Sequence, residues 1–246
     1  MKITIITVCF NSEKTIEKTI LSVLDQNYDN IEYIIVDGNS TDRTIEVINQ
    51  YKSKITKVVS EDDKGLYDAM NKGIKLATGG IIGILNSDDV FYNKEVLKEV
   101  AKFHLNNSVD ASGGNIVQHK NGRIVRLYNS SNWNPEKLKI GFMPPHPSMF
   151  FKRELFEKYG YYKLDYISSS DYELILRLFL KNKLKYKYSG ITTTSMTIGG
   201  VSSSGLKSYM MISKELIRLL KMNNVSFSSF KIHFRIVWKI KSMFNL

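Results

Sequence analysis

The sequence predicts an α/β protein with a doubly wound, largely parallel sheet, and three features carry that expectation. β-Branched runs of strand length alternate four times with amphipathic stretches of helical period before residue 90. Each of those runs ends in a polar cluster. The 43% apolar fraction, 11% of residues being aromatic, supplies a packed interior and excludes a disordered chain.

The elements follow in order. Residues 3–8 form a first strand, and Asn11 and Ser12 offer N-cap chemistry for an amphipathic helix through Leu24. Residues 31–36 are a second strand, 37–40 a turn, and 41–51 a helix with Ile45 and Ile48 on its apolar side. A short strand at 57–60 precedes a helix over 65–77, which Gly79 would end as the residue after the cap. The fourth strand, 80–85, runs into Asn86-Ser87-Asp88-Asp89. Ligands of such sheets sit beyond the carboxyl ends of the strands, so the clusters after Val8, Val36, Ser60 and Leu85 should converge on one rim. Further on, strands at 110–118 and 123–128 flank Lys120-Asn121-Gly122, a hairpin signal. Residues 143–147 carry closely spaced prolines and read as a loop. Residues 171–180 read as a helix burying Leu174, Ile175, Leu178 and Phe179. There is no internal repeat and no low-complexity segment.

A net charge of +11 invites a nucleic-acid reading, which its distribution argues against. From Lys207 onward eight cations stand against Glu215 alone, which places +7 of the excess in the tail. The single cysteine, Cys9, cannot form an internal disulfide. The first residues read as a strand rather than a signal peptide, and no apolar run approaches the ~18 residues that span a bilayer. A cytoplasmic protein whose membrane contact is peripheral is expected.

Four groups of residues could carry chemistry. Adjacent carboxylates at Asp88 and Asp89 repel each other unless a cation relieves them, and Mn2+ or Mg2+ held by one or two carboxylates plus phosphate oxygens would do so; capping the next helix is the other role open to them. Asp37 could accept from a ribose hydroxyl or a base N–H, or satisfy its own turn. In Glu61-Asp62-Asp63-Lys64-Gly65, Lys64 and a helix N-terminus could face a diphosphate while Asp62 or Asp63 caps the helix; a solvated charge cluster fits the same residues. Asp171, after three serines, could be a general base or an N-cap, and His146 could touch acceptor or phosphate or be structural. A glycine-rich dinucleotide turn, a P-loop, a nucleophile elbow and a zinc cluster are all missing from the sequence.

Together the motifs resemble a known family. Thr7-Val8-Cys9-Phe10-Asn11, Ser22-Val23-Leu24-Asp25-Gln26 and Asp37-Gly38-Asn39-Ser40-Thr41-Asp42 are similar to the inverting family-2 glycosyltransferases of the GT-A fold. The stretch from Asp63 to Gly73, then Leu85 to Asp89, Ser170-Asp171-Tyr172-Glu173-Leu174 with Arg177, and Gly199-Gly200-Val201-Ser202 resemble the branch that builds bacterial O-antigen, capsule and colanic acid. The resemblance covers residues 1–205 and implies a catalytic domain there, with a nucleotide-binding half (1–105) and an acceptor-binding half (106–205). It further implies Val8, Phe10 and Asn11 lining a nucleotide pocket, Asp37 on base or ribose, Asp88 on ribose or metal, Asp89 on the metal and Asp171 as base. The donor would be a UDP-hexose and the acceptor a lipid-linked oligosaccharide. Phe10 stands where many relatives have Tyr, and Asn86 where a stricter motif has Asp. A catalytically inactive scaffold relative and a sugar-phosphate nucleotidyltransferase are the rival readings; the retained carboxylates oppose the first, and the missing glycine- and arginine-bearing loop opposes the second.

Residues 206–246 form a basic tail. On a helix, Lys231, Arg235 and Lys239 make one stripe, and Phe230, Phe234, Val237, Ile240 and Phe244 an apolar face. Such a helix would lie on the anionic inner face of the cytoplasmic membrane, or else dock on the domain or on a second subunit of a homodimer.

Overall fold

The computed structural model describes residues 1–120, 122–197 and 205–235. The first half alternates as its periodicities require: β1 (Ile3–Cys9), α1 (Ile16–Leu24), β2 (Ile31–Asp37), α2 (Thr44–Gln50), β3 (Lys57–Ser60), α3 (Leu66–Leu76) and β4 (Ile81–Ile84). β1 runs parallel to both β2 and β4, and β2 parallel to β3, in the spatial order β3-β2-β1-β4. Both faces of this sheet are covered, so β1 is buried throughout, and its period of two divides the core. Ile6 and Val8 pack with Met70 and Ile74 of α3 on one side, while Ile3 and Ile5 pack with Ile16 and Ile20 of α1 on the other. Gly73 makes the first contact possible, because a Cβ there would lie 2.4 Å from Ile6 Cγ2.

The second half is mixed. β5 (Asp89–Phe91), α4 (Val96–Asn106), β6 (Ala111–Lys120), β7 (Arg123–Tyr128), β8 (Phe150–Lys152), α5 (Glu154–Tyr159), α6 (Ser170–Ile175), β9 (Tyr186–Thr197) and α7 (Gly205–Met222) follow. The sheet continues from β4 through β8, β6 and β9 to β5, with β7 on β6 as the expected hairpin. β8 is antiparallel to β4 and β6, whereas β6 and β9 are parallel. α6 runs on into a π-helical turn, Leu176–Lys181.

Several boundaries differ from expectation. Asn11 and Ser12 do not cap α1: Asn11 is left-handed at φ 48°, the Ser12 carbonyl accepts from Thr15 and Ile16, and the helix starts only at Ile16. The turn frees both side chains for the rim. α2 starts at Thr44 because the Asp42 carboxylate takes its N–H at 2.9 Å. α3 ends at Leu76 with an extended Ala77, so Gly79 is no left-handed cap. Its N–H instead donates to Thr4 Oγ1 at 3.0 Å. Beside it lies Glu32, which takes the Thr4 hydroxyl, the Thr78 hydroxyl and N–H, and Lys2, and so ties β2, β1 and the entry to β4 together.

The tail joins the main core. Leu216, Leu219 and Leu220 of α7 and Ile232 of the helical residues 229–235 are buried in the cluster that holds Leu174 and Leu178. Arg235 leaves the expected stripe with Lys231. It donates to the Gly141 carbonyl at 3.0 Å and lies over the Tyr209 ring, because the buried Ile232 turns that side of the helix inward. Among the described residues no helix is long and apolar enough to cross a membrane. Asn121, Gly199-Gly200-Val201-Ser202 and the tail positions Val237, Lys239, Ile240 and Phe244 lie outside the described residues.

Candidate active site

The parallel register sets Cys9 beside Asp37 and Asp37 beside Ser60, so the loops after β1, β2 and β3 leave the sheet at one level. Hydrogen bonds then knit them. The Asn11 side chain accepts from Thr41 N–H at 2.9 Å, and its own N–H donates to Ser40 Oγ at 2.9 Å. Asn39 reaches Asp62 at 3.0 Å, and the hydroxyls of Ser12 and Ser87 meet at 2.8 Å, which adds the loop after β4. The expected convergence on one rim is therefore present in the fold.

Within the rim, exposure separates the carboxylates. Asp37 is fully buried; Ser40 and Ser60 donate to it, with the Cys9 thiol 3.6 Å away. Both oxygens are engaged, so Asp37 organises the turn and offers nothing free to a ribose or base. The same burial, reinforced by Asp37, pushes the Cys9 thiol pKa up and keeps it protonated. The carboxylates open to solvent here are Asp62, exposed, and Asp63, half-buried. Asp63 lies against the turn after β2. It closes over Gly38, where a Cβ would lie 2.4 Å from Asp63 Oδ2 and 3.5 Å from the ring of Phe10. Phe10 is 62% exposed and presents a stacking surface at the rim. Val8, expected to line a pocket, is 3% exposed and packs into the core with its side chain. Lys64 is exposed on the same rim. α3 is not capped by Asp62 or Asp63: Gly65 is the cap residue, Asp63 takes the Gly65 N–H, and Asp68 takes that of Lys64.

The paired carboxylates also part company. Asp88 is exposed, whereas Asp89 is 1% exposed and opens β5. Burial, then the neighbouring Asp88, push the Asp89 pKa up to about 8 against a hydrogen bond from Asn86. The Oδ1 atoms of Asn86 and Asp89 have no partner. Among the described residues no group of three His, Cys, Asp or Glu side chains forms an ion cage.

Asp171 heads α6, half-buried, and Tyr67 of α3 donates to it at 3.3 Å, as does the Tyr172 N–H at 2.8 Å. Burial raises its pKa more than His146 and those donors lower it. Tyr67 thus links the base candidate to the rim loop that carries Asp63 and Lys64. Tyr67 stacks on Tyr162 at 5.7 Å, and Tyr162 hydroxyl and His146 Nε2 are 2.7 Å apart. His146 is buried, with its pKa lowered by that burial, so it is a neutral support behind Asp171 rather than a phosphate contact.

Sequence reasoning missed the residues that hold this cluster. Asn71 grips the backbone of Tyr162 in both directions, at 2.8 and 2.9 Å. Arg177 pairs with Glu173 at 2.8 Å and donates to the carbonyls of Tyr159, Gly160 and Tyr161. Glu215 of α7 accepts from Ile167 N–H, Ser168 N–H and the Ser169 hydroxyl at 2.8, 3.1 and 2.9 Å, fixing the loop before Asp171. Asn71, Glu173 and Arg177 stood inside recognised motifs, whereas Tyr162 carried no signal and Glu215 showed only as the lone acid of a basic tail.

A family model for glycosyl transferase family 2 matches residues 4–160. The UDP-Glc:alpha-D-GlcNAc-diphosphoundecaprenol beta-1,3-glucosyltransferase WfaP of Escherichia coli is 29% identical over 238 residues, covering 96% of this chain and 90% of its own. A PGL/p-HBAD biosynthesis glycosyltransferase of Mycobacterium tuberculosis is 28% identical over 207 residues, with 82% and 77% covered. S. aureus TarS 1-349 in complex with UDP-GlcNAc superposes with a TM-score of 0.71 at 22% identity, over 93% of this chain and 68% of that one. The mannosyltransferase PcManGT from Pyrobaculum calidifontis, in complex with GDP-Man and Mn2+, gives 0.69 at 19%, over 90% and 64%. These likenesses establish a GT-A fold, the mixed, mostly parallel sheet flanked by helices that the topology displays. Since the family model spans more than half of the sequence and glycosyltransferases align along most of the rest, the chain belongs to glycosyl transferase family 2 and is a glycosyltransferase.

Proposed function

We propose that this enzyme transfers a hexose from a UDP-sugar to a hydroxyl of a lipid-linked saccharide, with inversion at the anomeric carbon, in the assembly of a bacterial surface polysaccharide. One observation carries the proposal: Asp171, half-buried with a raised pKa, is joined through Tyr67 to the rim where Phe10 and Lys64 are exposed and Asp63 is half-buried around the strand ends. Similar proteins add support, since the E. coli relative is a UDP-Glc:alpha-D-GlcNAc-diphosphoundecaprenol glucosyltransferase and the TarS structure holds UDP-GlcNAc.

In this reading the base stacks on Phe10, Asp63 and the Asn11 turn meet base or ribose, and Lys64 faces the diphosphate beside the α3 N-terminus. The oxygen-only donor set at the turn after β4, the exposed Asp88 carboxylate beside the partnerless Asn86 Oδ1, fits a hard divalent ion such as Mn2+ or Mg2+. Asp88 would hold it; Asp89, buried beneath, would keep the turn in shape rather than ligate. When bound, the ion neutralises charge on the departing diphosphate. Asp171 takes the acceptor O–H proton as that oxygen attacks the anomeric carbon. The C–O bond to the diphosphate breaks, and the nucleoside diphosphate leaves with the bonding pair. The enzyme would work peripherally on the cytoplasmic face of the membrane.

A thermal-shift series with UDP-, GDP- and dTDP-hexoses, with and without Mn2+, tests the donor. The expected outcome is a rise in Tm with the UDP-hexose that requires Mn2+. No shift with any of them would overturn the reading, and NMR of the product's anomeric centre would decide inversion.

A further inference from the structure

We infer that the exposed side of α7 and the helical residues 229–235 form a docking surface for anionic phospholipid headgroups. The inference rests on the membrane setting proposed above but not on the transfer chemistry.

α7 is two-sided. Its Leu216, Leu219 and Leu220 are buried, while Met210, Lys214, Arg218, Lys221 and Met222 recur at helical spacing on the exposed side. Lys214, Arg218 and Lys221 line a groove of about 480 Å³ whose other wall includes His233 of the second helix. Among the described residues none of the three cations meets a carboxylate. Glu215, the only acid of this region, points the other way and is engaged by the 167–169 loop. Next to the groove Phe230 and Phe234 stack at 4.9 Å while 70% and 50% exposed. Met210 and Met222 are exposed on α7 itself.

That composition selects the occupant. Cations alone would suit any polyanion, but unpaired cations interleaved with exposed apolar rings and thioethers match a headgroup layer with acyl chains beneath it. Long Lys and Arg stems keep their charge at phosphate depth while the apolar side chains enter. The surface differs from the Lys231/Arg235/Lys239 stripe read from the sequence, because Arg235 is turned into the domain.

The test is co-sedimentation of the full chain with phosphatidylglycerol and with phosphatidylcholine vesicles. The variant Lys214→Glu/Arg218→Glu/Lys221→Glu is compared with Lys52→Glu/Lys54→Glu/Lys57→Glu, which changes net charge equally on the α2–β3 connection and the first residue of β3. The first is expected to weaken phosphatidylglycerol binding at least on the order of a hundredfold, from three lost cation contacts, and the second to leave it near wild type. Phe230→Ser/Phe234→Ser should weaken it without altering its salt dependence. Equal loss in both charge variants, no loss in the first, or tighter binding of duplex DNA than of vesicles would overturn the inference. UDP-sugar thermal shifts of the same variants read the donor site separately, so failure of one reading leaves the other standing.

Discussion

In the proposed reaction Asp171 is the base, and its surroundings set its protonation. A base works ionised, and burial raises this carboxyl above the usual range, so kcat/KM should rise with pH through a value above that of an ordinary aspartate. Tyr67 donates to Asp171 and lowers its pKa; Tyr67→Phe should therefore move the acidic limb of the profile to higher pH. Asp171→Asn should cut kcat by about 10²–10⁴-fold and leave the UDP-sugar thermal shift intact. The Asp88–Asp89 pair gives a second contrast. Asp88→Ala should lose the Mn2+-dependent part of that shift at unchanged Tm of the free protein. Asp89→Ala, which leaves the half-buried Asn86 amide without its acceptor, should destabilise by about 1–3 kcal/mol in urea unfolding. From sequence the two acids were indistinguishable neighbours. Asp88 stands in the turn and Asp89 opens β5, and only packing decides which of the two meets water.

At the scale of elements, Glu32 shows how β2, β1 and β4 are fastened at the end opposite the rim. Burial alone would raise its pKa, but the hydrogen bonds from Thr4 and Thr78 outweigh it and bring the value to about 2, below the ordinary 4.5. A depressed folded-state pKa stabilises the fold at pH values above 4.5, and that contribution drains away as pH falls toward 2. Glu32→Gln should then cost about 2–3 kcal/mol at neutral pH and flatten the acid limb of stability, measured as urea midpoints from pH 2 to 6. Helix and strand order was legible up to β4 because apolar periods of 3.6 and 2 are local properties, whereas β5, α4, β8, α5 and β9 of the less regular second half were not anticipated. Helix starts were less so: Asn11, Ser12 and Asp42 have the side chains of caps, yet Asn11 and Ser12 are recruited by Ser40, Thr41, Thr44 and Ser87 across the rim, and Asp42 moves the start of α2 to Thr44.

For the molecule as a whole, the tail is what changes most between sequence and structure. Charge and amphipathicity set residues 206–246 apart as an appendage, but α7 shares the core that holds α6 and reaches the loop before Asp171 through Glu215. Glu215→Ala should release the 167–169 loop, lowering kcat with little change in the UDP-sugar thermal shift; Glu215→Gln, which keeps one acceptor oxygen, should restore part of it. A loss confined to Tm, with kcat untouched, would show that Glu215 only braces the fold.

Periodicity, turn chemistry and the placing of polar clusters at strand ends are written in short stretches of chain, and they determined the α/β class, the shared rim and the acidic residues gathered near it. Which acid is reachable was decided by the tertiary structure: Asp63 rather than Asp37, Asp88 rather than Asp89, and Asp171 backed by Tyr67, Tyr162 and His146. Exposure and hydrogen-bond partners come from contacts such as Tyr67 with Asp171 or Ser12 with Ser87, between residues remote in the chain, and no local pattern encodes them.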